Sequence, residues 1–230
     1  MRPVERGDAP EMYSDYADAR PALIDRIGMY CSYCERRISA NLAVEHVLPK
    51  SLHPDLELEW SNFLLGCVNC NSTKGNREVD RNEILLPDQD NCFVAFEYDE
   101  MGRIGPAGNL SAGLNDKAER LLWLTGLDKL PDEFDDDALF EAAMERWRQR
   151  IDVWNLAQLQ KTDLESENTE ALRRATERLA VQAGFFSIWM KVFEDDHDMR
   201  LRFISVFSGT SLDCFDPSTT EPLARPGGHC

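Results

Sequence analysis

Apolar positions recur at helical spacing through the second half of the chain and are broken by turn signals through the first. From Asn115 onward, Ala118, Leu121, Leu122, Leu124 and Leu127 fall on one face of a helix. Pro131-Asp-Glu-Phe-Asp-Asp-Asp predicts the start of a long helix reaching about Gln160, its acids lying where the helix dipole favours them. Another helical stretch begins near Glu167 and carries Leu172, Leu179, Phe186, Ile188 and Trp189 towards Phe193, and a further helix covers about 195–208. In the first half, Pro21 to Met29 reads as a short amphipathic helix with Pro in its first turn and Gly28 near its end. Ile38, Leu42, Val44 and Val47 around Ser39-Ala-Asn41 predict a β-hairpin over 38–48. Trp60 to Leu65 is a short apolar segment, and Asn71 reads as a helix start. Residues 91–98 predict a strand, Asp99 to Gly102 a turn, and 103–110 its hairpin partner. The expected architecture is α+β: an N-terminal arm over 1–20, a compact unit over 21–85, a strand connector over 86–112, a helical domain over 113–212 and a flexible tail over 213–230.

Composition narrows the class. Hydrophobic residues make up 43% of the 230 positions, enough for a packed core, and no run approaches the roughly 20 apolar residues of a membrane span. Met1-Arg-Pro-Val-Glu-Arg has no apolar run behind it, so it does not read as a secretory signal, and a cytoplasmic protein is expected. The formal charge of -17 argues against generic charge-driven binding to DNA. Residues 1–84 contribute 10 Lys+Arg against 14 Asp+Glu, a balance of -4, so the remainder carries -13. A partner that supplies basic surface is therefore expected.

Cysteine usage turns the reading from class to chemistry. Cys31-Ser-Tyr-Cys34 and Cys67-Val-Asn-Cys70 are two Cys-x-x-Cys pairs with 32 residues between the inner cysteines, the pattern of a structural Cys₄ zinc site with no open position, the alternative being buried or redox thiols. Between and just after them lie Glu45-His46-Val-Leu-Pro49-Lys50, Trp60-Ser-Asn62 and Asn71-Ser-Thr-Lys74-Gly75. Cys92, Cys214 and Cys230 are left over, and Cys92 reads as a small buried hydrophobe.

This order of motifs, over about residues 28–80, resembles the HNH endonuclease family with its zinc-stabilised ββα-metal fold. The resemblance implies hydrolysis of DNA phosphodiester bonds. His46 takes the place of the general base, for which an imidazole pKa near 6.5 is suited. Glu45 and Asn71 take the places of oxygen ligands for a catalytic Mg²⁺ or Mn²⁺, where the family often has aspartate and histidine. Read from the residues alone, Glu45 is equally a strand acid and Asn71 a helix cap. Asn62 matches the asparagine that braces the loop after the histidine strand. Lys74, and less strongly Lys50 and Arg77, are candidates to hold substrate phosphates.

Met1-Arg-Pro-Val with Gly7, Tyr30 to Glu35 and Val44 to Lys50 also resemble PtuB-type HNH proteins of bacterial Septu anti-phage systems, including retron-linked ones. That similarity implies a nuclease effector working with an SMC/ABC-like ATPase of the PtuA type, and in some systems a retron reverse transcriptase. The competing expectations are a stand-alone restriction-type HNH nuclease and a non-catalytic zinc-stabilised DNA-binding or scaffold subunit. His53, His197 in its acidic run and His229 carry no motif. Trp123, Trp147, Trp154 and Trp189 read as helical core, with some available for docking.

Overall fold

The computed structural model describes residues 1–130 and 137–230, so the expected helix opening at 131–136 lies outside the described residues. A 3₁₀ turn (Tyr16–Ala19) runs into α1 (Arg20–Ile27), which ends at Gly28 with φ 77°. β1 (Ala43–His46) pairs antiparallel with β2 (Phe63–Gly66), setting His46 opposite Phe63 and Ala43 opposite Gly66. α2 (Val68–Lys74) follows β2 directly. α3 (Cys92–Ala95) leads into a second two-stranded ribbon, β3 (Phe96–Tyr98) with β4 (Ile104–Pro106).

The helical half holds α4 (Ala112–Thr125), α5 (Asp137–Ser166), α6 (Glu170–Ala183), α7 (Phe186–Val192) and α8 (His197–Val206). Ser111 caps α4 by accepting from Leu114 N, and Gly126 ends it in the left-handed region. α7 is the buried centre of this half. Trp189, Phe186, Phe193, Phe203 and Phe207 are fully enclosed, and Trp189 packs against Phe193 and Phe203.

Four expectations need correction. The strand containing His46 finds no partner within 38–48; it pairs with residues 63–66, because the loop between them is held closed by Asn62 rather than by a tight turn. Residues 92–95 form a helical turn, since Asn91 accepts from Phe93 N as its cap, and the strand begins only at Phe96. The stretch from 167 to 193 is two helices. Gly184 (φ 77°) breaks it where the backbone meets the first cysteine loop: a Cβ there would lie 2.7 Å from Arg37 N and 2.8 Å from Glu35 O. The tail is pinned rather than loose. Asn91 N donates to Cys230 O at 2.8 Å, His229 N to Asp90 Oδ1 at 2.6 Å, and Arg225 reaches Val4 O and Glu5.

The two halves are joined through that cysteine loop. Glu35, with φ 61°, is buried and accepts from Ser187 N at 3.0 Å, Ser187 Oγ at 2.7 Å and Arg2 N. Its carbonyl accepts from Phe185 N at 2.9 Å. No described helix is long and apolar enough to cross a membrane.

Candidate active site and metal centre

The cysteine cluster is built from two chain reversals. Cys31 and Cys34 sit in a loop closed by a bridge between Tyr30 and Arg37, and by Glu35 N donating to Cys31 O at 2.9 Å. Cys67 is the N-cap of α2, its sulfur accepting from Cys70 N at 3.5 Å. This arrangement takes the capping role that the sequence offers to Asn71, which lies instead in the middle of the helix. All four sulfurs are buried and lie within 4.8 Å of one another, with Cys34 and Cys67 at 3.7 Å. A tetrahedral Zn²⁺ with bonds of about 2.3 Å needs sulfurs about 3.8 Å apart, so the donor set fits zinc. Among the described residues this is the one such cluster. Hydrogen bonds from Cys31, Cys34 and Cys70, with the Arg36 guanidinium beside it, lower the Cys67 thiol pKa, while the same contacts and burial raise those of Cys31 and Cys70. Arg36 Nη2 lies 3.5 Å from Cys67 Sγ while Nη1 pairs with Glu145 of α5 at 3.2 Å, so the cluster is tied to the helical half.

β1, paired with β2, and α2, which the cluster anchors through Cys67 and Cys70, wall a cleft of about 290 Å³. Glu45, His46, Asn71 and Lys74 all line it, with Tyr16, Lys50 and Asn76. His46 is 8% exposed, and its ring is gripped edge-on by Tyr16 at 4.8 Å and Phe63 at 5.3 Å. Its Nε2 lies 2.9 Å from the Glu57 carbonyl. A carbonyl only accepts, so Nε2 carries the proton and Nδ1 is left as the basic nitrogen. Burial lowers the imidazole pKa below its usual value, so the ring is neutral at pH 7.

Asn62 is buried and fixes the loop that supplies this carbonyl. It accepts from Leu48 N at 2.8 Å and donates to Leu48 O at 2.9 Å and Leu56 O at 3.3 Å. One amide thus stands in for a missing strand partner on both sides of residues 48–56.

Glu45 and Lys74 are both 2% exposed and lie 2.9 Å apart. Lys74 Nζ also donates to the His46 carbonyl at 2.8 Å, which ties the end of α2 to β1. The sequence leads one to expect Lys74 as a surface lysine that meets phosphate; the structure places it inside. Burial raises the Glu45 pKa, and Lys74 opposes that rise. Glu45 Oε1 is buried yet accepts no directed hydrogen bond, because the ammonium stands out of line. Gly66 of β2, two positions along from the residue facing Glu45, leaves room for this side chain, since a Cβ there would approach Glu45 Cβ to 3.1 Å. An under-satisfied buried carboxylate and the Asn71 amide lining one cleft fit a hard divalent cation. Lys74→Met leaves Glu45 buried without its partner, and is expected to destabilise the fold by about 3–5 kcal/mol, read as a lower urea midpoint at unchanged m-value.

The histidines that carry no motif lie elsewhere. His53 pairs with the exposed Glu78 at 3.2 Å. In the acidic run, Asp196 caps α8 and pairs with Arg173, as Asp198 does, which uses those carboxylates structurally. A larger polar recess of about 710 Å³, lined by Arg81, Asp88 and His229 among others, brings no comparable catalytic set together. Tyr16 and the Glu57 carbonyl escaped the sequence reading. A backbone acceptor has no sequence signature, and Tyr16 is an isolated aromatic in a polar arm.

The HNH endonuclease family model matches residues 31–77. The chain is also 38% identical over 83 residues to a curated relative, Septu protein PtuB of Bacillus thuringiensis. That match covers 34% of this chain and 32% of the relative, so it spans about a third of the relative's length. The chain therefore carries an HNH endonuclease domain at residues 31–77, and it is similar to Septu PtuB over about a third of its own length.

Proposed function

We propose that this protein is a metal-dependent DNA endonuclease in which His46 is the general base. The observation that carries the reading is the fixed tautomer: Nε2 is spent on the Glu57 carbonyl, so Nδ1 is the accepting nitrogen of a ring that shares its cleft with Glu45 and Asn71. His46 takes a proton from the attacking water, and the phosphorus–oxygen bond to the leaving oxygen breaks as the new one forms. Glu45 and Asn71 would hold Mg²⁺ or Mn²⁺. That ion, when bound, stabilises charge on the scissile phosphate and the leaving oxygen. Asn62 acts at one remove, through the loop that presents the carbonyl. Lys74 neutralises Glu45 before an ion is bound and keeps the ends of β1 and α2 in register.

The cysteine cluster holds zinc structurally, with no sulfur free for substrate. The likeness to Septu PtuB supports a role as nuclease effector in a cytoplasmic anti-phage complex, with a PtuA-type ATPase and, in retron-linked systems, a reverse transcriptase. The acidic surface agrees with activity inside a complex rather than alone.

Supercoiled plasmid offered to the purified chain, with and without the ATPase expressed beside it, tests this. Nicking that requires added Mg²⁺ or Mn²⁺, and stops when only that ion is withdrawn at full zinc occupancy, is the expected result. Cleavage indifferent to the added ion would remove Glu45 and Asn71 as ligands. Absence of cleavage under every condition would favour the scaffold reading.

A further inference from the structure

Among the described residues three cations lie over aromatic rings; one, Lys50, lines the candidate cleft, and another, Arg77, directly follows a residue that does. The third, Arg2 on Tyr30, is buried in the core. On the loop after β1, Lys50 Nζ is 4.0 Å from the centroid of Tyr16, and both residues line the cleft. Beyond the end of α2, Asn76 lines the cleft and the next residue, Arg77, lies 4.7 Å over the ring of Trp123. A bond of 3.4 Å from Arg77 Nη1 to Leu124 O steadies that guanidinium. Trp123 is 58% exposed, although α4 buries Leu121, Leu122 and Leu124 around it.

These pairs share a physical property. A ring face orients a cation without cancelling its charge, as a carboxylate would, so the cation stays available to an anion arriving from solvent. Lys50 also pairs with Glu57 at 2.9 Å, but both side chains are more than 40% exposed, and a pair of that kind is weak enough to be exchanged for a phosphate. Lys74 is already paired with Glu45 at 2.9 Å. In a chain of charge -17, affinity for a polyanion must come from a few such local contacts.

Resting on the nuclease reading, we propose that Lys50 with Tyr16 and Arg77 with Trp123 form the two grips of a DNA-binding surface that crosses the cleft. The two cations meet phosphates flanking the scissile one, and the open indole face stacks on a base or sugar of the same strand.

The test uses the full chain carrying His46→Ala, a fluorescent duplex oligonucleotide and no added Mg²⁺ or Mn²⁺, with the dissociation constant followed across a salt series. Lys50→Gln and Arg77→Gln should each flatten the slope of log K against log salt by about one, the signature of one lost phosphate contact. Trp123→Ala should weaken binding about tenfold with its slope unchanged, since stacking releases no counterion. Arg77→Lys should keep the slope. Zinc content and melting temperature equal to the parent's show that these exposed substitutions leave the fold intact. Unchanged slopes in both charge variants overturn the proposal. So does a Trp123→Ala chain that binds DNA normally but loses the co-expressed ATPase, which would make this face a protein dock. The readings fail separately. A chain with His46 intact that never cleaves while the slopes respond defeats the nuclease assignment alone, and one that cleaves while the slopes stay fixed defeats only the surface.

Discussion

His46→Gln is expected to lower plasmid cleavage by about 10²–10⁴-fold, the range that a positioned general base contributes. Glutamine keeps much of the ring's volume between Tyr16 and Phe63, and its amide can still donate to the Glu57 carbonyl. What it lacks is a basic nitrogen where Nδ1 stood. His46→Ala should be as inactive but less stable by about 1–3 kcal/mol, because it also removes the packing of a buried ring. Comparing the two separates loss of chemistry from loss of fold. Zinc measured after denaturation should match the parent in both. Wild-type turnover by a carefully purified glutamine variant would take His46 out of the mechanism.

Cys67→Ser is expected to have the larger effect on the fold. Serine is a good helix cap, so the start of α2 keeps its acceptor and the change isolates the metal ligand. Metal binding in small zinc peptides supplies about 10–16 kcal/mol, comparable with the whole net stability of about 5–15 kcal/mol of a typical domain. A site left with three sulfurs and a hydroxyl loses most of that. Zinc should fall well below one per chain, and the melting temperature should drop by about 10 °C or more. Because Cys67 joins β2 to α2, cleavage should disappear with the fold. A Cys67→Ser chain with full zinc and an unshifted melting curve would show that these sulfurs are not the metal's ligands.

The parts of the site that were legible in the sequence are those whose geometry is local. Two Cys-x-x-Cys turns and a Glu-His pair within one strand declare themselves by spacing alone. The helical half was legible for the same reason, since Ala118, Leu121, Leu122 and Leu124 share a face whatever else the chain does. What was missed depends on contacts distant in sequence. Ser39-Ala-Asn41 looks like a hairpin turn, but the true partner of β1 is chosen by Asn62 bonding to Leu48 and Leu56. Asn71 looks like a cap because asparagine usually caps, yet a cysteine bound into the cluster already fills that place. The proline- and glycine-containing tail reads as loose, but Asp90 and Asn91 hold it by groups some 140 positions away. Tyr16 reaches His46 only because the 3₁₀ turn before α1 folds back over β1.

Glu35 carries the last consequence. Its carboxylate receives the amide and hydroxyl of Ser187 and the amide of Arg2, in the same loop that holds the first two sulfurs. A fragment cut to residues 31–77 would keep every motif that identifies it and strand this anion without any of those donors. The stretch that can be recognised is therefore smaller than the stretch that can stand alone. Grafting it onto another scaffold as a portable cutting cassette should yield insoluble or metal-free material unless the α7 segment travels with it.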